Sequence, residues 1–100
     1  MIQQYNPPHP GRMIKRTYIE PFKEMTAAGV ARELGVSKST FSRLLSGKSD
    51  ITPEMAVRLS AVLGRSAESG LLMQGYYDLW SVRQSVCTKS LKRIDFGEAV

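Results

Sequence analysis

The sequence predicts an all-α fold: five helices in one domain, followed by a C-terminal helical extension or tail. Three observations lead there. Residues 27–46, AAGVARELGVSKSTFSRLLS, read as a helix, a tight turn and a second helix. Capping signals recur in register with apolar stripes, above all Thr52-Pro53-Glu54 before one stripe and Gly64 after it. One hundred residues are enough for a single helical core without a metal or disulfide staple.

The elements follow in order. The Pro-rich start, MIQQYNPPHPGR, is expected to be extended as far as His9 or Pro10. Pro10 can take the first helical position, where a missing N–H is harmless. His9 fits a local capping or turn role better than that of a base or ligand. Met13, Ile14, Thr17, Tyr18 and Ile19 form the stripe of the first helix. Pro21 ends it by disfavouring helical backbone at Glu20. Thr26 is the expected N-cap of the second helix, which presents Val30, Ala31 and Leu34 on one face. Ala31 is small where two steeply crossing helices come closest. Gly35 suits a left-handed C-cap, Val36 plugs the corner, and Ser37 caps the third helix, whose core face is Phe41, Leu44 and Leu45.

Gly47 closes the third helix and GKSD forms a polar loop. Met55, Ala56, Leu59, Val62 and Leu63 make the stripe of the fourth helix. Ser66 caps a fifth, with Glu68 favoured by the dipole in its first turn, and this helix is expected to run to about Ser85. It carries Leu72, Tyr76, Leu79 and Trp80 on one face, with Leu71, Met73 and Tyr77 around the side. So broad an apolar surface suits either the central helix of the core or a dimer interface. For the interface the candidates are Leu71, Met73, Tyr76, Tyr77 and Trp80, on a dimerisation helix spanning residues 67–85 of a domain of residues 1–85. Residues 86–100 read as a frayed terminus or as a segment that orders on a partner.

The chemistry of the third helix points to DNA. Its outward positions are Lys38, Ser39, Thr40, Ser42 and Arg43, with Lys48 in the loop beyond, and none is acidic. A basic residue near a helix N-terminus gains nothing from the dipole, so Lys38 suggests an anionic partner. Residues 32–48 hold four basic side chains (Arg32, Lys38, Arg43, Lys48) against one acid, Glu33. A helix with short polar and basic side chains fits the major groove, where base edges are read. An ordinary helical hairpin with a solvated face accounts for the spacing alone. The whole-chain charge of +5 and a pI near 9.7 favour nucleic acid or an acidic protein surface.

Other classes find little support. The one cysteine, Cys87, cannot close a disulfide within the chain, which agrees with a reducing compartment. The one histidine, His9, lies far from it in sequence, so neither a thiol nucleophile nor a zinc site is expected. Glu20 and Glu24 have helical spacing, but Pro21 interrupts them. No Gly-rich phosphate loop or Ser/His/Asp set occurs, so neither an enzyme nor a cofactor is expected. No apolar run approaches the ~20 residues needed to span a bilayer, and the start lacks the pattern of a secretory signal. A cytoplasmic protein is the expectation.

The chain resembles the Cro/cI-like (lambda repressor-like, XRE) DNA-binding domains and, more specifically, HigA-type antitoxins of type II toxin–antitoxin modules. The segments that carry the resemblance are NPPHPGRMI (residues 6–14), YIEPF (18–22), VARELGVSKSTFSRLLSGK (30–48), ITPEMAVRLSAVLGRSAES (51–69) and LMQGYYDLW (72–80). The helix-turn-helix alone is common to many repressors; PPHPG together with YDLW is far more specific. The resemblance implies a homodimer that binds a palindromic operator, represses its own operon and neutralises a RelE-like (HigB-like) ribonuclease toxin. By position it implies that Lys38, Ser39, Thr40, Ser42 and Arg43 face bases or nearby phosphates, and that Thr26 and Lys48 contact phosphate. Two alternatives remain: a stand-alone XRE-type regulator with no toxin, and a toxin-binding module that has lost DNA binding.

Overall fold

The computed structural model describes residues 7–97. The extended start expected for residues 1–6 and the last three positions of the tail lie outside them. Five α-helices follow one another: α1 (Pro10–Ile14), α2 (Ala27–Leu34), α3 (Lys38–Leu45), α4 (Pro53–Leu63) and α5 (Ala67–Arg83). A π-helical turn, Lys15–Ile19, continues α1. There the chain widens to an i→i−5 bond, Glu20 N–H to the Lys15 carbonyl at 2.9 Å, and then leaves the helix before Pro21.

The ends are set by the residues that the capping rules select. Thr26, Ser37, Thr52 and Ser66 each accept a backbone N–H three residues on. Each satisfies a donor that the first turn leaves unpaired. His9 caps α1, its Nδ1 accepting the Gly11 N–H at 2.9 Å, with Pro10 in the first helical position. α2 ends in a Schellman turn: Gly35 is left-handed at φ 76°, and Val36 N–H bonds back to the Ala31 carbonyl.

The core gathers Ile14, Val30, Ala31, Leu34, Phe41, Leu44, Leu45, Ile51, Ala56 and Leu59, with Phe41 wholly enclosed. α2 and α3 pack on each other, α1 lies against α3, and α4 joins α2 to α5. Gly11 makes the α1–α3 contact possible. A Cβ there would fall 1.7 Å from the Leu44 carbonyl oxygen. Two arginines fasten the helix-turn-helix from outside. Arg58 on α4 donates to the Leu34 carbonyl at 2.7 Å, and Arg12 on α1 donates to the Ser46 carbonyl at 3.2 and 3.3 Å. Each covers a carbonyl at the C-terminal end of a helix, where partners are otherwise lacking.

The structure corrects three expectations. α5 stops at Arg83 with a turn at Gln84 and Ser85, rather than running to Ser85. Val62 is exposed at the edge of the α4 stripe. Most importantly, α5 is not a central helix. Leu72 and Tyr76 are 57% and 63% exposed, and Leu79 is half exposed beside them. The inward side of α5 is the one carrying Gly70, Met73, Gln74, Tyr77 and Trp80, and only Gln74 is fully buried.

Candidate nucleic-acid interface

The third helix is held by one face and leaves the other to solvent. Its inner face is locked by Phe41, Leu44 and Leu45, so its orientation is fixed by the core. Its outer positions Lys38, Ser39, Thr40 and Arg43 are exposed, Ser42 is half-buried, and Lys48 is exposed in the loop beyond. Thr26 is exposed at the start of α2. These seven expected contact residues therefore line the N-terminal end of α2, the outer side of α3 and the turn after it.

Hydrogen bonds at the start of α3 orient its hydroxyls. Ser37 Oγ accepts the Thr40 N–H at 3.1 Å and donates to Thr40 Oγ1 at 2.9 Å. With Thr40 Oγ1 already accepting, its own hydroxyl hydrogen is left to donate outward. Donors of this kind match the acceptor atoms of purine N7, guanine O6 and thymine O4 in a major groove. Thr26 repeats the arrangement on α2, its Oγ1 accepting the Gly29 N–H at 3.0 Å and its hydroxyl hydrogen remaining to donate.

The electrostatics are one-sided. α3 has no acid in its first turn. Among the described residues the pair of opposite charges is Arg58 with Glu54, and Asp50 lies 3.4 Å from the His9 ring, so Lys38, Arg43 and Lys48 carry uncompensated charge toward solvent. The loop that carries Lys48 is held by its own backbone, with Lys48 N–H on the Arg43 carbonyl at 2.8 Å and Gly47 left-handed at φ 82°. No group of three or more metal-ligating side chains occurs among the described residues. Within the same residues, no helix is long and apolar enough to cross a membrane.

The interface candidates on α5 divide. Leu71 and Tyr76 face solvent, with Leu72, Gly75 and Leu79 between and beside them in an apolar groove. Met73 lines a small internal cavity of about 20 Å³ with Ile14, Ile51 and Leu59. Tyr77 meets the buried His9 ring edge-on at 5.0 Å between centroids, and Trp80 lies 6.1 Å from Tyr77. Sequence reasoning missed three supporting residues, Arg12, Arg58 and Gln74, whose partners are distant in the chain and leave no local signal.

The Helix-turn-helix family (HTH_3) matches residues 23–69. The HTH-type transcriptional regulator YddM of Escherichia coli is 36% identical over 93 residues, covering 93% of this chain and 97% of its own. Antitoxin HigA-1 of Vibrio cholerae is 36% identical over 73 residues, 73% of this chain and 68% of its own. Among solved structures, antitoxin GraA in complex with its operator is similar with a TM-score of 0.78 at 31% identity, over 91% of this chain and 94% of that one. With the capped helix-turn-helix and the five-helix order, these likenesses establish the class: the chain belongs to the HigA-type antitoxin family of helix-turn-helix proteins, which are not enzymes.

Proposed function

We propose that this protein is a cytoplasmic, dimeric, sequence-specific DNA-binding antitoxin, which represses its own operon and neutralises a RelE-like ribonuclease toxin. One observation carries the DNA half. α3 is fixed by its buried face and offers Lys38, Ser39, Thr40, Ser42 and Arg43 outward, with no acidic residue among them. Arg43 and the hydroxyls read base edges, while Thr26, Lys38 and Lys48 hold phosphates. The relative GraA, solved with its operator, supports this reading.

The dimer rests on the outer face of α5. Leu71, Leu72, Tyr76 and Leu79 expose a continuous apolar strip, and Gly75 lets a second backbone come close. Two α3 helices brought together in this way meet half-sites about 34–36 Å apart, one turn of DNA. The toxin half is supported by the family, through relatives such as HigA-1.

The test has two arms. Mobility shifts with the DNA upstream of the protein's own reading frame should show a specific, salt-sensitive complex. Co-expression with the product of the adjacent reading frame should give a stable co-purifying pair whose ribonuclease activity is silenced. DNA binding without such a pair would leave a stand-alone regulator, and a pair without DNA binding would leave a toxin-binding module.

A further inference from the structure

The cationic face of the helix-turn-helix does not end at Lys48; it continues onto the first helix. After α3 the chain folds back on Arg43, whose carbonyl accepts the N–H of Lys48 at 2.8 Å and that of Ser49 at 3.3 Å. Ser46 is exposed one turn beyond Arg43. Its carbonyl is the one held by Arg12, through Nε at 3.3 Å and Nη2 at 3.2 Å. Gly47 allows that approach, since a Cβ there would fall 3.0 Å from Arg12 Nε. Arg12 therefore stands against the turn that carries Lys48. The Ser46 carbonyl fixes its guanidinium and occupies only part of the donor fork.

Arg16 follows one turn later and lines the same recess. This pocket, about 320 Å³, lies between Pro8, Arg12, Arg16, Gly47, Tyr77 and Trp80. No carboxylate is among the side chains that line it. Arg16 is exposed and has no hydrogen-bond partner among the described residues. The acid of the neighbouring loop is Asp50, 3.4 Å from the His9 ring. Against that negative charge stand Arg12, Arg16 and Lys48, with Lys15 exposed next to Arg16 in sequence. A recess of one sign between low-dielectric walls, here Pro8 and the two rings, concentrates the field at its mouth. Paired guanidinium groups in such a place match the oxygens of a phosphate.

We propose that Arg12 and Arg16 extend the DNA interface onto α1 and its π-helical turn, where they hold a backbone phosphate beyond the one that Lys48 contacts. The inference rests on the reading of α3 and Lys48 as the DNA face. Continuity with that face selects the occupant. From Ser46 to Lys48 the chain spans at most about 7 Å, so a strand held at Lys48 runs past Arg12. An acidic protein segment in the recess would have to share this rim with the duplex. The contact is with phosphate alone, so it adds affinity without sequence preference and acts alike on operator and unrelated DNA. Arg16 is the residue to test, because Arg12 also closes the end of α3.

The experiment titrates the duplex upstream of the reading frame, and a scrambled duplex, at several salt concentrations. The proteins are full-length wild type, Arg16→Ala, Arg16→Lys and Lys48→Ala. Phosphate ethylation interference on the upstream duplex then maps the contacts. Arg16→Ala should lower the slope of log affinity against log salt by about 0.9 per half-site on both duplexes. Binding should be about eightfold weaker per half-site at 0.1 M salt and converge on wild type near 1 M. Arg16→Lys keeps the charge and should keep the slope. In Arg16→Ala, ethylation should cease to matter at one phosphate per half-site, distinct from the one lost in Lys48→Ala. A misfolded fraction lowers the active concentration and leaves the slope alone. An unchanged slope and interference pattern would therefore overturn the inference while the α3 face stands. Wild type that does not bind the upstream duplex would overturn the reading of α3 and this inference with it. Intact DNA binding by Arg16→Ala, with loss of co-purification with the product of the adjacent reading frame, would assign the recess to a protein partner and overturn the inference.

Discussion

The side-chain oxygen of Gln74 accepts the buried backbone N–H of Ile51 at 2.7 Å, while its amide donates to Asp78 at 3.0 Å. This pair ties α5 to the stretch of chain between α3 and α4, and so to the frame that orients α3. Gln74 is the only α5 side chain that is fully buried, and it is polar for this reason. An apolar residue in its place would strand the Ile51 donor away from water.

Gln74→Leu should therefore destabilise the fold by about 1–3 kcal/mol despite its greater hydrophobicity. Gln74→Glu keeps the acceptor but turns the donor to Asp78 into a second, buried carboxylate, so it should lose at least as much at neutral pH. Urea unfolding followed by circular dichroism measures both. Equal stability of the leucine variant and wild type would show that the Ile51 N–H finds another partner.

Two glycines should respond with opposite signs. A Cβ at Gly11 would meet the Leu44 carbonyl oxygen at 1.7 Å and its carbon at 2.6 Å, and neither can move without displacing α3. Gly11→Ala should cost about 3 kcal/mol or more. A Cβ at Gly70 has nothing nearer than Ile51 Cδ1 at 4.0 Å, beside the small cavity under α5. Gly70→Ala should stabilise by about 0.5–1 kcal/mol, through the helix entropy that glycine forfeits. Thermal melts of the two variants should shift in opposite directions.

The contrast between these positions shows which parts of the structure were legible in the sequence. Thr26, Ser37, Thr52 and Ser66 cap their helices as expected, because a cap and its N–H partner lie three residues apart. His9 was legible as a cap because its partner, the Gly11 N–H, is also local, two residues on. α5 was not. Its apolar residues surround the helix, so periodicity could not tell the side that meets His9 and Ile51 from the side left to solvent. The division came from contacts distant in sequence: Tyr77 on His9, Gln74 on Ile51. Arg12 and Arg58 were missed likewise, since each closes the end of a helix other than its own.

The exposed side of α5 yields a prediction about assembly. Leu72 and Tyr76 touch the apolar groove and contribute little to the monomer core, being 57% and 63% exposed. Leu72→Glu and Tyr76→Glu should leave the melting curve of the monomer nearly unchanged, as surface substitutions generally stay within about 0.5 kcal/mol. Each should raise the dimer dissociation constant at least about tenfold, by placing a charge in a desolvated apolar contact. Analytical ultracentrifugation gives the answer, and unaltered association would move the interface away from this helix.

Operator binding separates the roles of the residues on α3 and its loop. Lys48 carries charge without a partner among the described residues, so Lys48→Ala should weaken binding to all sequences alike. It should also reduce the slope of log affinity against log salt by about 0.9 for each phosphate that Lys48 no longer neutralises. On the proposed reading of Arg43 as a base contact, Arg43→Ala should cost about 1–3 kcal/mol on the operator and less on unrelated DNA. Thr40→Val keeps the volume but removes the hydroxyl that Ser37 orients at 2.9 Å. It should therefore lower specificity without changing the salt slope, since no charge is removed. Titrations of operator and scrambled duplex at several salt concentrations distinguish the three. A Thr40→Val protein that discriminates as well as wild type would show that this oriented donor meets no base.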